Sequence, residues 1–289
     1  MRIVITGATG FIGRSMAERS LRDGHEVHLL TRAGSRSTRA IDELRLAGAT
    51  VLAYADYSEL RDHVAQVEPE VVFHLATHYT RSHHAHDIES MIDANVQLGT
   101  HLLESLKGTS AVIVSTISYF QFRHGQPVAH SLYSSTKQAF SEVCRYYREI
   151  EDLDIREVIL FDTYGSEDSR PKLIPLLMAS AKSGDPVQLG SPEQLINLLH
   201  VDDVVEGLVA AAGPDSPALM SVKASRETTV HDLVERIHSI SGKAFPTQFR
   251  SGATPSLHVL EAGNWPTPPG WQPTIELDEG LRTILETGG

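Results

Sequence analysis

Tyr133 and Lys137 stand four residues apart in the run Tyr133-Ser134-Ser135-Thr136-Lys137. Residues four apart stack on one face of a helix. If this segment is helical, a phenol and an ammonium group share a face. A tyrosine in water gives up its proton near pH ~10. A neighbouring cation favours the phenolate, so the pair can exchange a proton with a substrate oxygen near neutral pH. The plain alternative is a solvated surface pair. A hydroxyl from the preceding β-rich run would complete the set, and Ser115, Thr116 and Ser118 in VIVSTIS compete for that place.

A second constellation lies at the start of the chain, MRIVITGATGFIG. A short apolar strand runs into Gly7, then Gly10, then Gly13 at the head of a helical pattern, with Thr9, Phe11 and Ile12 between them. Glycines at these positions let the backbone turn tightly and approach a pyrophosphate, while the helix N-terminus offers unpaired N–H groups. A plain strand–helix turn carries one glycine; three at this spacing point to a bound dinucleotide. The second strand ends Leu30-Thr31-Arg32, followed by Ser35 and Arg36, with no acid to hold a ribose 2′-hydroxyl. Arg32 therefore suits a 2′-phosphate, which favours NADPH/NADP with NAD as the alternative. A solvated arginine is the bland reading.

The elements that must position these groups alternate. Strand patterns cover residues 2–6, 26–31, 50–54, 71–76, 111–115 and 155–161, and several, such as VVFHLA and AVIVS, are continuous apolar runs that suit burial on both faces. Helical patterns cover 11–22, 91–106 and 131–150, with a last one near 277–286. This alternation predicts an α/β fold, a Rossmann doubly wound parallel sheet with a smaller C-terminal substrate-binding lobe. The division expected is residues 1–165 for the dinucleotide-binding domain and 166–289 mainly for the lobe. LLHVDDVVEGLVAAA reads as a strand and helix returning to the main body.

Composition narrows the partners. The 289 residues carry 25 Lys and Arg against 37 Asp and Glu, a net charge of −12. That balance argues against nucleic acid or an anionic membrane surface. The single cysteine, Cys144, cannot form an intrachain disulfide and reads as a packing residue. With neither a signal-peptide pattern nor a membrane-length apolar run, a cytoplasmic protein is expected. His78, His83, His84 and His86 cluster in THYTRSHHAHD, but their spacing fits no closed zinc pattern, so no metal is expected. This loop reads as an edge of the substrate pocket, with His78 or Arg81 nearest the substrate, or as a merely polar loop.

The G-x-x-G-x-x-G spacing, and Tyr-x-x-x-Lys one helix after the fifth strand, resemble the extended branch of the short-chain dehydrogenase/reductase superfamily. The resemblance spans nearly the whole chain. It implies that Thr116 is the catalytic hydroxyl, with Ser118 second, and that Tyr133 and Lys137 are the proton donor and its partner, Lys137 also binding the nicotinamide ribose. It places Asp56 and Tyr57 at the adenine and Leu75, Ala76 and Thr77 along the dinucleotide, and makes Asn95 structural. Dehydratases of this branch carry Asp-Glu directly after the threonine; here Ile117 and Ser118 follow, which argues against elimination of water. The stretch from Thr116 to Tyr133 is also short, implying a trimmed rim.

LFDTYGSEDSRPKLIPLL and SPEQLINLLHVDDVVEGL resemble the 4-ketoreductases of nucleotide-linked 4-keto-6-deoxyhexoses, the group that includes CDP-abequose and CDP-paratose synthases. This implies a nucleotide-sugar substrate, with Thr163, Arg170 and Lys172 near its diphosphate and His78 and Ser118 near its sugar; solvated helix-start charges are the other reading of Arg170 and Lys172. Two departures stand out. Asp162 occupies a place where relatives have Asn, and Ile196-Asn197 replaces an Arg-Asp pair. An NAD-dependent sugar-nucleotide epimerase with the same three groups, and a catalytically dead dinucleotide-binding regulator, are the rival expectations. The family also implies a homodimer packed through residues 91–106 and 131–150.

Overall fold

The computed structural model describes every residue except 35–37, 81, 129, 255–257 and 288–289. Ser35, Arg36 and Arg81 therefore lie outside the described residues. Seven parallel strands form the central sheet: β1 (Arg2–Thr6), β2 (Glu26–Arg32), β3 (Thr50–Tyr54), β4 (Val71–His74), β5 (Val112–Ser118), β6 (Asp154–Leu160) and β7 (Leu219–Val222). Their spatial order is β7-β6-β5-β4-β1-β2-β3. The order reverses between β1 and β4, and in open α/β sheets such a reversal is where ligands bind, beyond the carboxyl ends of the strands.

Alternation along each strand sorts the core into two layers. Ile3 and Ile5 of β1 pack with Met16 and Ala17 of helix α1 (Phe11–Arg22) and with Val204, Val205 and Leu208 of a later helix, residues 201–211. Val4 points the other way. It joins Leu60 and Val64 of the helix spanning 57–67, Leu102 and Leu103, and Phe140 and Cys144 of the helix spanning 132–149. Between α1 and these come α2 (Thr38–Leu46) and α3 (Tyr57–Val67). The next rod begins as α4 (Ile88–Ile92), widens into a π-turn at Asp93–Gln97 and continues as α5 (Leu98–Ser105). α6 (Leu132–Glu149) starts on a Ser131 cap, whose hydroxyl accepts the Ser134 N–H at 3.1 Å while Ser134 Oγ accepts the Ser131 N–H at 2.8 Å.

The observed elements shift several expectations. β4 stops at His74 rather than Ala76, because the N–H groups of Leu75 and Ala76 leave the ladder and both donate to Thr6 Oγ1 at 3.2 Å. β5 runs on to Ser118, since its pairing with β6 continues as far as Ser118 opposite Leu160. β7 was not anticipated. Its sequence, LMSV, is too short to stand out, and only its pairing along β6 makes it a strand. In the returning segment, Leu198–His200 does not enter the central sheet but pairs with Asp162–Tyr164. The helix that follows does return. Past α7 (Leu173–Ser183), α8 (Val201–Ala211) packs on α1, and Arg19 Nε meets Glu206 Oε1 at 2.5 Å. A third core gathers Leu177 and Met178 of α7 with Leu233 and Ile237 of α9 (Val230–Ser241). Two helices complete the chain, α10 (His258–Glu261) and α11 (Leu277–Thr287), and Leu281 of the latter closes this core.

Candidate active site

The turn between β1 and α1 is shaped for a close ligand. Gly7 has φ +76°, and a Cβ there would lie 2.6 Å from the Ala76 nitrogen. A Cβ on Gly13 would lie 2.1 Å from the Gly7 carbonyl oxygen. The loop is thus pressed against the end of β4 and against its own helix. Thr9 and Gly10 are exposed at its rim, with Phe11 and Ile12 half-buried behind them. No side chain caps α1 and no acid lies in its first turn, so its N–H groups and positive dipole end stay open to an anion. The glycine cradle and this uncapped terminus fit a dinucleotide pyrophosphate.

On α6 the phenol and ammonium fall where their spacing puts them, one turn apart, but their surroundings differ from expectation. The Tyr133 hydroxyl faces the Thr77 side chain, and its ring meets Tyr79 edge-on at 5.0 Å. Burial pushes its pKa up, the Thr77 contact opposes this, and Lys137 is not among the groups acting on it. In the protein alone the expected pull of Lys137 toward the phenolate is therefore missing, and desolvation favours the neutral phenol instead. Lys137 is 2% exposed, and burial lowers its pKa to about 8 against the opposing pull of Cys144 and Glu157.

Asn95, in the π-turn, ties this region together. Its Oδ1 accepts from Thr77 Oγ1 at 2.9 Å and from the His78 N–H at 2.7 Å. Its Nδ2 donates to the His78 carbonyl at 3.1 Å and to Thr136 Oγ1 at 3.0 Å. All four hydrogen-bonding sites of a buried amide are used, fixing the loop after β4 against the first turn of α6. His74 is buried beneath it, with Nδ1 2.9 Å from Thr6 Oγ1. Burial, then Lys137, drops its pKa to about 3, so it is a neutral core histidine.

Of the three competing hydroxyls, Ser115 is buried, and its Oγ has no partner among the described residues. Ser118 caps a short 3₁₀ turn, its Oγ accepting the Phe120 N–H at 3.3 Å. Thr116 is half-buried on the opposite face of β5 from Ser115, without such a local task. Ile117, next to it, is buried in an apolar cluster.

At the end of β2, Arg32 Nη2 lies 2.5 Å from Asp93 Oδ2 and donates to Tyr57 Oη at 3.2 Å. The Tyr57 hydroxyl in turn donates to Asp93 Oδ1. Asp56 spends its carboxylate capping α3, accepting the N–H groups of Ser58 and Glu59 at 2.8 and 3.0 Å. Leu75 and Ala76 line the back of the glycine turn.

On the lobe side, Arg170 is clamped by Asp168 at 2.6 and 2.7 Å and donates to the Thr163 carbonyl at 3.2 Å. It is therefore not a solvated charge. Lys172 is half-buried at the head of α7, and burial, then Arg170, lowers its pKa. Asp162 turns toward Tyr119, whose hydroxyl donates to Oδ2 at 3.2 Å; burial raises its pKa while Lys172 opposes. Asn197, in place of the expected charge, is buried and bonded to both backbone groups of Ala224. His78 is half-buried and anchored through its backbone. His84 and His86 stack on each other at 5.4 Å, and among the described residues no three potential ligands converge on a metal position. Nor, among the same residues, is any helix long and apolar enough to cross a membrane.

Sequence reading missed Asp93, Tyr79 and Asp168. Only the last left a local trace, an acid two residues before an arginine; the other two matter through partners far away in the chain.

A glycine cradle at the switch point of a doubly wound sheet, with a tyrosine and a buried lysine on the helix after β5, defines a nicotinamide-dinucleotide enzyme. Residues 3–218 match the model of the NAD dependent epimerase/dehydratase family, and the chain belongs to that family. Among curated proteins it is similar to a CDP-abequose synthase of Yersinia pseudotuberculosis, 26% identical over 83% of this chain and 84% of the relative. It is also similar to a UDP-glucose 4-epimerase of Mycolicibacterium smegmatis, 25% identical over 99% and 98% of the two chains. Among solved structures, a UDP-glucuronic acid 4-epimerase of Bacillus cereus bound to UDP-glucuronic acid and NAD superposes with a TM-score of 0.84, 20% identical over 99% and 98% of the chains. That likeness is one of fold.

Proposed function

We propose that the protein is an NADPH-dependent reductase of the 4-keto group of a dTDP- or CDP-linked 4-keto-6-deoxyhexose. The observation that carries the reading is the neighbourhood of Thr116. Ile117 is sunk in an apolar cluster and the Ser118 hydroxyl caps its own turn. No acid–base pair follows the threonine, so the site is equipped for a carbonyl and not for elimination of water. The similarity to a CDP-abequose synthase supports the same substrate class.

The roles of individual residues are part of this proposal. Gly7, Thr9, Gly10 and Gly13 hold the pyrophosphate, Arg32 the 2′-phosphate, and Leu75, Ala76 and Thr77 the length of the dinucleotide. When bound, the reduced nicotinamide supplies hydride. Tyr133, kept protonated by burial, gives its proton to the carbonyl oxygen, and Thr116 orients that oxygen by hydrogen bonding. Lys137 holds the nicotinamide ribose and helps restore the Tyr133 proton. Arg170, Lys172 and Thr163 receive the nucleotide diphosphate, in a lobe drawn mainly from residues 166–289. Two copies pair through the 88–105 rod and α6, where Ile88, Ile92 and Tyr146 are 42%, 37% and 49% exposed.

A second reading, an NAD-dependent epimerase, has one observation in its favour: Arg32 is already paired with Asp93, so it presents no free cation. Consumption of NADPH with CDP- and dTDP-4-keto-6-deoxyglucose, with NADH alongside, separates the two. Stoichiometric loss of NADPH with a new hydroxy-sugar supports the reductase. No net consumption, with NAD retained by the purified protein, overturns it in favour of the epimerase.

A further inference from the structure

Arg32 closes β2, at the position that meets the adenosine ribose in a doubly wound sheet. It is not alone there. Its Nη2 is 2.5 Å from Asp93 Oδ2 and donates to Tyr57 Oη at 3.2 Å, and Tyr54 is a further hydrogen-bonding neighbour. Tyr57 donates to the second oxygen of Asp93. The Tyr57 ring is fixed by stacking on His101, with centroids 4.2 Å apart. Asp93 is held as firmly, because it opens the π-turn whose third residue, Asn95, is locked by four hydrogen bonds. Asp93 thus reaches Arg32 from a rigid element. Arg32 is the adaptable partner, with a side chain 51% exposed against 24% for Asp93.

We infer that Asp93 is a specificity-determining residue for the cofactor: by occupying Arg32 it disfavours a ribose 2′-phosphate relative to a 2′-hydroxyl. This rests on Arg32 being the 2′-phosphate ligand. A dianionic phosphate approaching Arg32 must share that cation with a carboxylate already in contact with it, or displace it. A 2′-hydroxyl, being neutral, meets no such competition. Neutralising Asp93 releases the cation and removes the repulsion while leaving an amide of the same shape.

The test uses the full chain and two probes that isolate this end of the cofactor, adenosine 2′,5′-bisphosphate and 5′-AMP, titrated by calorimetry alongside NADP⁺ and NAD⁺. Asp93→Asn is expected to bind the two 2′-phosphorylated ligands roughly five- to tenfold more tightly, the scale of one partly exposed charge interaction. Its affinity for 5′-AMP and NAD⁺ should stay within about twofold. Asp93→Ser, which cannot restore the ion pair, should behave alike, and unchanged melting temperatures would show that both variants fold. If Arg32→Ala weakens the 2′-phosphorylated ligands but neither Asp93 variant changes the ratio, Asp93 is no determinant and the inference fails alone. If Arg32→Ala leaves the ratio unchanged, the 2′-phosphate role of Arg32 fails and the inference with it.

Discussion

The guanidinium of Arg170 lies over the ring of Phe11, its central carbon 4.6 Å from the ring centroid. Phe11 is the first residue of α1, directly behind the phosphate turn. Arg170 is held in that place by Asp168, whose side chain is only 2% exposed. One cation therefore bridges the glycine cradle and the segment leading into α7. Arg170→Ala should weaken both ligands, the dinucleotide and the nucleotide sugar, each by about tenfold, since it removes a stacked and hydrogen-bonded guanidinium. Separate calorimetric titrations check this. Weakening of one ligand alone would show that Arg170 serves a single subsite.

Tyr133→Phe keeps the ring against Tyr79 and loses only the hydroxyl. Turnover should fall on the order of 10²-fold or more, while dinucleotide affinity stays within about twofold. Single-turnover kinetics beside a binding titration would show the separation. Full-rate turnover would remove Tyr133 as proton donor.

Lys137 brings a pH dependence. Its pKa of about 8 means that it is charged at neutral pH and discharged as pH rises through that value. Turnover should accordingly fall on the alkaline side of about pH 8. Burial lowers this value, and Cys144 and Glu157 hold it up. Glu157 is buried beneath α6, with Oε2 3.1 Å from Arg148 and Oε1 without a partner among the described residues. Glu157→Gln removes one of the two supporting influences, so the alkaline fall should move to lower pH, by roughly half a pH unit or more. A pH–rate profile that does not move would disconnect Glu157 from Lys137.

Gly13→Ala places a methyl 2.1 Å from the Gly7 carbonyl oxygen, a backbone atom that cannot swing aside. The turn must open, costing about 1–3 kcal/mol of stability and most of the dinucleotide affinity. Urea denaturation and a cofactor titration measure the two losses. Wild-type affinity in this variant would mean that the cradle is not the binding element.

Asp203, the second acid of HVDD, is a fastener. It is 2% exposed, and its carboxylate accepts the N–H groups of Thr274 and Ile275 at 3.0 and 2.9 Å and the Thr274 hydroxyl at 2.8 Å. The Asp203 carbonyl accepts Trp271 Nε1 at 3.0 Å. Asp203→Ala should cost about 3 kcal/mol, since two backbone N–H groups and a hydroxyl lose their charged partner. The urea midpoint should drop, and segment 271–287 should lose protection first in hydrogen exchange.

Six of the seven strands and the phosphate turn were legible in the chain itself. Runs such as VVF and VIV are apolar at every position because both faces are covered, and that pattern is local. Three glycines after β1 announce themselves because only glycine tolerates backbone at the approach seen around Gly7 and Gly13. The Tyr133–Lys137 spacing is likewise local, a property of one helix. What the spacing could not convey was environment. The direction in which Tyr133 shifts, the neutral state of His74 and the value near 8 at Lys137 follow from desolvation by segments distant in sequence. The partners of Arg32 and Arg170 were decided in the same way. Asp93 stands 61 positions beyond Arg32, and Phe11 stands 159 positions before Arg170. Each pair meets only because the parallel strands and their crossovers bring loops from distant segments to one edge of the sheet. A side chain's type is written in the chain; the charge it faces and the water it loses are properties of the packed molecule.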